Sequence, residues 1–124
     1  MAAYILALIP NLLGGLWVSG QIFLMTIVLS LPLGILLSLV RLSKLRLLSE
    51  AAAMYIYVMR GTPLMLQILF IYYGLPLIPG VHIELSDFPA AIIAFVANYA
   101  AYFAEIFRGG IQSISRGQYE GAKV

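Results

Sequence analysis

Residues 17–40 read WVSGQIFLMTIVLSLPLGILLSLV, a stretch in which no side chain carries a charge. A helix crosses a hydrocarbon core about 30 Å thick with about 20 mostly apolar residues, so this run is long enough by itself. The uncharged sequence reaches back to Met1. Residues 61–83 are also free of charge apart from His82, and residues 88–104 are free of it again. Three spans in 124 residues leave no room for a soluble domain. The expected fold class is therefore all-α, a polytopic transmembrane helical protein. Composition agrees: 63% of residues are hydrophobic and 10% charged, against about 45–50% and 25% in soluble domains.

Working outward from the first span, residues 1–16 are apolar but interrupted by Pro10-Asn11 and Gly14-Gly15, and are expected as a short interfacial segment. No basic cluster precedes them, so the first span is expected to be retained, not cleaved as a signal peptide. Trp17 is placed as an interfacial anchor, and Pro32 and Gly34 are expected to kink the span (17–40). The second span lies in 47–78 with a break at 60–63. A loop with Pro76, Pro79 and Gly80 follows. The third span is expected over 88–107, with Asp87 as its cap and Pro89 tolerated in the first turn.

Orientation follows from lysine and arginine near the spans. Arg41, Lys44 and Arg46 follow the first span, no basic residue follows the second, and Arg108, Arg116 and Lys123 follow the third. With three spans, both basic segments fall on one side. That predicts an outer N-terminus, an outer loop around His82 and a cytoplasmic tail.

The tail changes character abruptly. In AEIFRGGIQSISRGQYEGAKV, residues 104–124, Gly109-Gly110 are suited to ending a helix. Ser115 and Gln118 then have the spacing of a capping box, which predicts a new helix from Arg116. A span that stops and restarts as a short surface helix presents a docking element to something in the water. A second break is written in Arg60-Gly61-Thr62-Pro63, where threonine suits an N-cap and proline the first position of a new helix. The piece after it is too short to cross the membrane alone, and transporters use such broken helices to hold substrate groups. A kinked span with Arg60 reaching to the interface is the other reading. Finally, Asn98, Tyr102 and Glu105 are spaced by four and three residues and share one helix face. Such a face either lines a polar path or holds helices together by hydrogen bonds, with Glu105 paired to Arg108 or Arg60.

The tail pattern A-E-I-x-R-G-G-I-x-S-I-x-x-G-Q-x-E-x-A resembles the cytoplasmic coupling loop of amino-acid permease subunits in bacterial ABC importers. R-G-T-P-L from Arg60, followed by Gln67 and Ile71-Tyr72-Tyr73-Gly74-Leu75-Pro76, resembles the same polar amino-acid permease family. The chain carries Gly121 where that family usually has alanine, and it reads as the N-terminal part of such a permease. The resemblance implies a partial type I importer fold in the bacterial cytoplasmic (inner) membrane. It implies partners as well: cytoplasmic ABC ATPase subunits, a second permease subunit, an extracytoplasmic amino-acid-binding protein, lipid, and an amino-acid substrate. It also makes Gly110, Arg116, Gly117, Gln118, Glu120, Gly121 and Ala122 the expected ATPase-coupling residues. The break and the shared helix face, not the resemblance, make Arg60, Thr62, Asn98, Tyr102 and Glu105 the candidates for the substrate path, with Glu105 able to meet an α-ammonium group.

Other classes fit less well. The formal net charge of +2 is too small to argue for nucleic acid. There is no cysteine, the single histidine lies in a loop, and no span holds a pair of carboxylates, so neither catalysis nor a metal or other cofactor is expected. A small channel-like or structural membrane protein, or a non-functional permease fragment, is the alternative if the product ends at Val124.

Overall fold

A computed structural model describes all 124 residues, and every regular element in it is helical. The elements are α1 (Ala2–Arg41), α2 (Arg46–Gly61), α3 (Leu64–Leu69), α4 (Asp87–Ser113) and α5 (Arg116–Ala122). A π turn over Phe70–Gly74 and a 3-10 turn over Leu75–Leu77 prolong α3. Two helices, α1 and α4, are long and apolar enough to cross a membrane. A third crossing exists if α2 and Leu64–Leu77 form one broken span, bent by 106°.

α1 runs unbroken for 40 residues, through Pro10-Asn11 and Gly14-Gly15. The expected division between 1–16 and 17–40 therefore has no counterpart in a helix break. A proline removes one backbone hydrogen bond without ending the helix by itself, and the leucine-rich sequence on either side favours helix. At about 1.5 Å per residue, α1 is about 60 Å long, about twice the hydrocarbon thickness.

α1 and α4 meet along a seam of small residues. Thr26, Ser30, Gly34 and Ser38 recur every fourth position and are the buried residues of α1. On α4 the buried residues include Ala90, Ala94, Ala100, Ala101 and Ala104. Lipid tails are as apolar as leucine, so helices in a membrane associate through close van der Waals approach, which small residues permit. Gly34 shows how close. A Cβ there would stand 2.7 Å from Phe103 Cβ and 3.3 Å from the Ala100 carbonyl oxygen and the Ala104 nitrogen. Ile56 of α2 packs on Ala101 and Ala104 beside Leu37 and Met59, which places the three-helix junction at mid-α4. Large apolar side chains such as Leu12, Leu16, Trp17, Leu36 and Tyr57 point outward.

The connections use ordinary chemistry. Between α1 and α2, the Ser49 hydroxyl donates to the Arg41 carbonyl at 2.6 Å and accepts from the Arg41 guanidinium at 2.9 Å. Gly80 supplies the one positive φ, +83°, in the turn before α4. Ser86, not Asp87, occupies the cap position of α4. Asp87 is the first helical residue, and its carboxylate accepts the Phe88 N–H at 2.7 Å, so it still satisfies an end donor.

Candidate functional site at the helix break

The break at 60–63 exists, displaced by one residue from its expected form. α2 continues through Gly61, Thr62 and Pro63 are both extended, and α3 begins at Leu64. Thr62 is thus the residue ending α2 and not the cap of the next piece. A residue before proline is pushed out of the helical region, which accounts for Thr62. Proline takes the cap position itself.

A helix that ends inside a protein leaves four carbonyls without intrahelical partners. For α2 these belong to Val58, Met59, Arg60 and Gly61, and side chains reach three of them. The Thr62 hydroxyl donates to Val58 O at 2.9 Å. Met59 O accepts from Gln67 Nε2 at 3.1 Å and from Asn98 Nδ2 at 2.9 Å. Tyr102 reaches Arg60 O at 3.4 Å. Gln67 also donates to the Thr62 hydroxyl at 2.6 Å and accepts from Asn98 at 3.0 Å. Two side-chain amides, one from α3 and one from α4, thereby hold the bend.

Four of the five path candidates, Arg60, Thr62, Asn98 and Tyr102, line one cleft of about 570 Å³ at this bend, with Tyr99 beside them. Asn98 is only 3% exposed, and its amide nitrogen is committed to Met59 and Gln67. Glu105 is the fifth candidate and is not a lining residue. Both its oxygens are taken by Arg108, at 3.2 Å from Nε and 2.6 Å from the terminal nitrogen, while Arg60 stands 3.8 Å away. The guanidinium of Arg60 lies 5.6 Å from the centre of the Tyr102 ring. The shared face of Asn98, Tyr102 and Glu105 is therefore turned toward α2, and each of its three members bonds a backbone carbonyl of α2 or a neighbouring charge. Gln67 was not singled out as a site residue. It is the one polar side chain in an otherwise apolar run, and that isolation was the available signal.

The tail differs from its expected form. α4 does not end at Gly109-Gly110 but continues to Ser113. Neither glycine adopts a positive φ. Side chains carry the helix past them: Arg108 bonds Glu105 behind it and the Gln112 side chain ahead at 3.0 Å. The Ser113 hydroxyl then bonds back to Gly110 O at 2.7 Å, and the chain turns extended at Ile114. α5 does start at Arg116, as expected, with Ser115 at the cap position. The cap is a backbone one, from the Gln118 N–H to Ser115 O at 3.0 Å, without the side-chain bond of a capping box. Arg116, Gly117, Gln118, Glu120, Gly121 and Ala122 all lie on this seven-residue, fully exposed helix, while Gly110 belongs to the last turn of α4. Its one ion pair, Arg116 to Glu120 at 3.5 Å, is exposed and contributes little to stability.

Residues 30–124 match the family model of the binding-protein-dependent transport system inner membrane component. The chain belongs to that family. The matched region takes in the bend, α4 and α5 together. Among curated relatives, the arginine transport system permease protein ArtQ of Bacillus subtilis is 43% identical over 114 residues, covering 92% of this chain and 51% of that protein. The L-cystine transport system permease protein TcyB of the same organism is 36% identical over 111 residues, covering 90% and 46%. A crystal structure of an amino acid ABC transporter with histidines superposes with a TM-score of 0.87 at 31% identity, covering 98% of this chain and 55% of that one. The chain spans about half the length of the curated relatives it matches. The family resemblance and the all-helical, multi-pass membrane architecture expected from the sequence are both borne out.

Proposed function

We propose that this chain belongs to a permease subunit in an ATP-driven importer that moves amino acids across the bacterial cytoplasmic membrane. The observation that carries the reading is the family match over the bend and tail, joined to the likeness with a solved amino-acid transporter. In this reading the subunit has no catalytic chemistry of its own. ATP hydrolysis occurs on cytoplasmic partner subunits, a second permease subunit completes the pathway, and an extracytoplasmic binding protein delivers the amino acid. The tail is cytoplasmic and the loop around His82 extracytoplasmic, because basic residues flank the spans on one side only.

The coupling path follows from α4. A helix of seven residues is far below the roughly 12–15 needed for stability in water, so α5 owes its order to a surface it docks on, here a groove of the ATPase. The joint between α5 and the spans is the extended pair Ile114-Ser115. Above that joint, α4 is one continuous helix through Gly109 and Gly110, so in this reading a push on α5 is carried along α4 toward Glu105, Tyr102 and Asn98, beside the bend. In this reading the cleft lies on the amino-acid path and opens to alternate sides as α2 and α3 move about the bend.

Replacing Ala122 by aspartate tests the coupling role. In the docked state it places an unpaired charge in a buried groove, which costs several kcal/mol. Membrane insertion is expected to persist while amino-acid-stimulated ATP hydrolysis falls. Wild-type co-purification of the ATPase together with normal stimulated hydrolysis in Ala122→Asp would refute it.

A further inference from the structure

The charges at the bend do not balance, and the imbalance has a direction. Arg60 is the one basic side chain lining the cleft. Its contact to Glu105, at 3.8 Å, is longer than a hydrogen bond, and its side chain is 45% exposed. Glu105 is instead held on both oxygens by Arg108. Of these three charges one pair cancels, and the cation left over is the one that faces the cleft. The neighbouring polar groups are already spent. The Thr62 hydroxyl donates to Val58 and accepts from Gln67, and the Asn98 nitrogen is bonded to Met59 and Gln67. What the cleft offers a ligand is therefore the planar set of guanidinium donors, whose fork matches a carboxylate in a two-point bond.

The geometry points to Arg60 as the residue that takes the α-carboxylate of the amino acid in this cleft, making the free carboxylate, not the side chain, the feature recognised there. This rests on the reading of the cleft as part of an amino-acid path. It also removes Glu105 from the role of ammonium partner, since Arg108 already holds it. The Tyr102 ring already faces the Arg60 guanidinium, so the ammonium end is left the π face of Tyr99, which lines the same cleft. The volume, about 570 Å³, is within the range of about 300–1,000 Å³ of small-molecule pockets. The class of ligand is then an α-amino acid of any side-chain charge, with decarboxylated amines excluded.

The test uses the full-length subunit assembled with its ATPase and second permease subunit, titrated in detergent without binding protein so that only the permease site is read. The probes are two matched pairs, L-arginine with agmatine and L-glutamine with 4-aminobutanamide, whose members differ only in the α-carboxylate. The wild-type complex is expected to prefer the amino acid of at least one pair by about tenfold or more, as a charge-assisted two-point bond implies. Arg60→Gln is expected to shrink that preference to about twofold by weakening the amino acid alone. Arg60→Lys keeps the charge but loses the fork, and is expected to retain the fold with an intermediate preference. An undiminished preference in either folded variant, or equal weakening of both members of a pair, overturns the assignment. Failure of the wild-type transporter to take up any amino acid overturns the importer reading itself, and is distinguished by ATP-dependent uptake measured in parallel.

Discussion

Asn98 is the residue whose removal most directly tests how the bend between α2 and α3 is held. Replacing it by leucine keeps the volume similar and deletes the bonds to Met59 O at 2.9 Å and to Gln67 at 3.0 Å. Hydrogen bonds between membrane helices average about 0.6 kcal/mol and reach about 1.7 kcal/mol. Met59 O keeps its bond from Gln67, so no bare carbonyl results, and the expected loss is about 1–3 kcal/mol. Geometry is the sharper readout. Leu47 and Leu77 sit at the far ends of the two arms and are both exposed. With about 1.5 Å per residue and the bend of 106°, their backbones lie roughly 25 Å apart, against roughly 40 Å for collinear arms. Spin labels at Leu47→Cys and Leu77→Cys in the assembled transporter, read by pulsed dipolar spectroscopy, report that distance. Asn98→Leu is expected to broaden the distribution toward longer values and to lower the unfolding midpoint. A lowered midpoint with an unchanged distribution would show that Asn98 joins helices without setting the bend. No change in either would refute the hydrogen-bond account altogether.

Two further outcomes follow from the seam and the charge pattern. Gly34→Val forces side-chain atoms into the 2.7 Å approach to Phe103 Cβ and is expected to cost about 1–3 kcal/mol or more in detergent unfolding; a wild-type midpoint would mean that α1 and α4 do not pack this closely. Cysteines at Ser86→Cys and Ser115→Cys are expected to react with an impermeant reagent from outside intact cells only at the first position, and the reverse pattern would invert the proposed orientation.

The spans were legible because hydropathy over about 20 residues is a property of the run and survives any local irregularity. The break at Arg60 to Pro63 was legible because proline dictates its own φ and restricts the residue before it. The glycine pair misled for the opposite reason. Glycine permits a helix end without requiring one, and the Glu105–Arg108–Gln112 chain of side-chain bonds favours continuation. Pro10 and Gly14-Gly15 misled in the same way, since each permits an interruption that α1 does not make. The face shared by Asn98, Tyr102 and Glu105 followed from helical spacing, but what it meets did not. Its partners Met59, Gln67 and Arg60 are brought there by the bend, from 31 to 45 residues away in sequence. Periodicity places residues on a face; only the packing of a second, broken helix decides which of them remain free for a ligand.

The most direct measurement is amino-acid uptake into proteoliposomes holding the full-length subunit with its ATPase, second permease subunit and binding protein. Radiolabelled amino acids, L-arginine, L-cystine and L-glutamine among them, are supplied on the side of the His82 loop and ATP on the side of the tail. Accumulation of at least one of them that requires ATP and is abolished by Ala122→Asp is the result predicted. Equilibration without ATP, or ATP-dependent accumulation untouched by that substitution, would contradict an importer coupled through this tail.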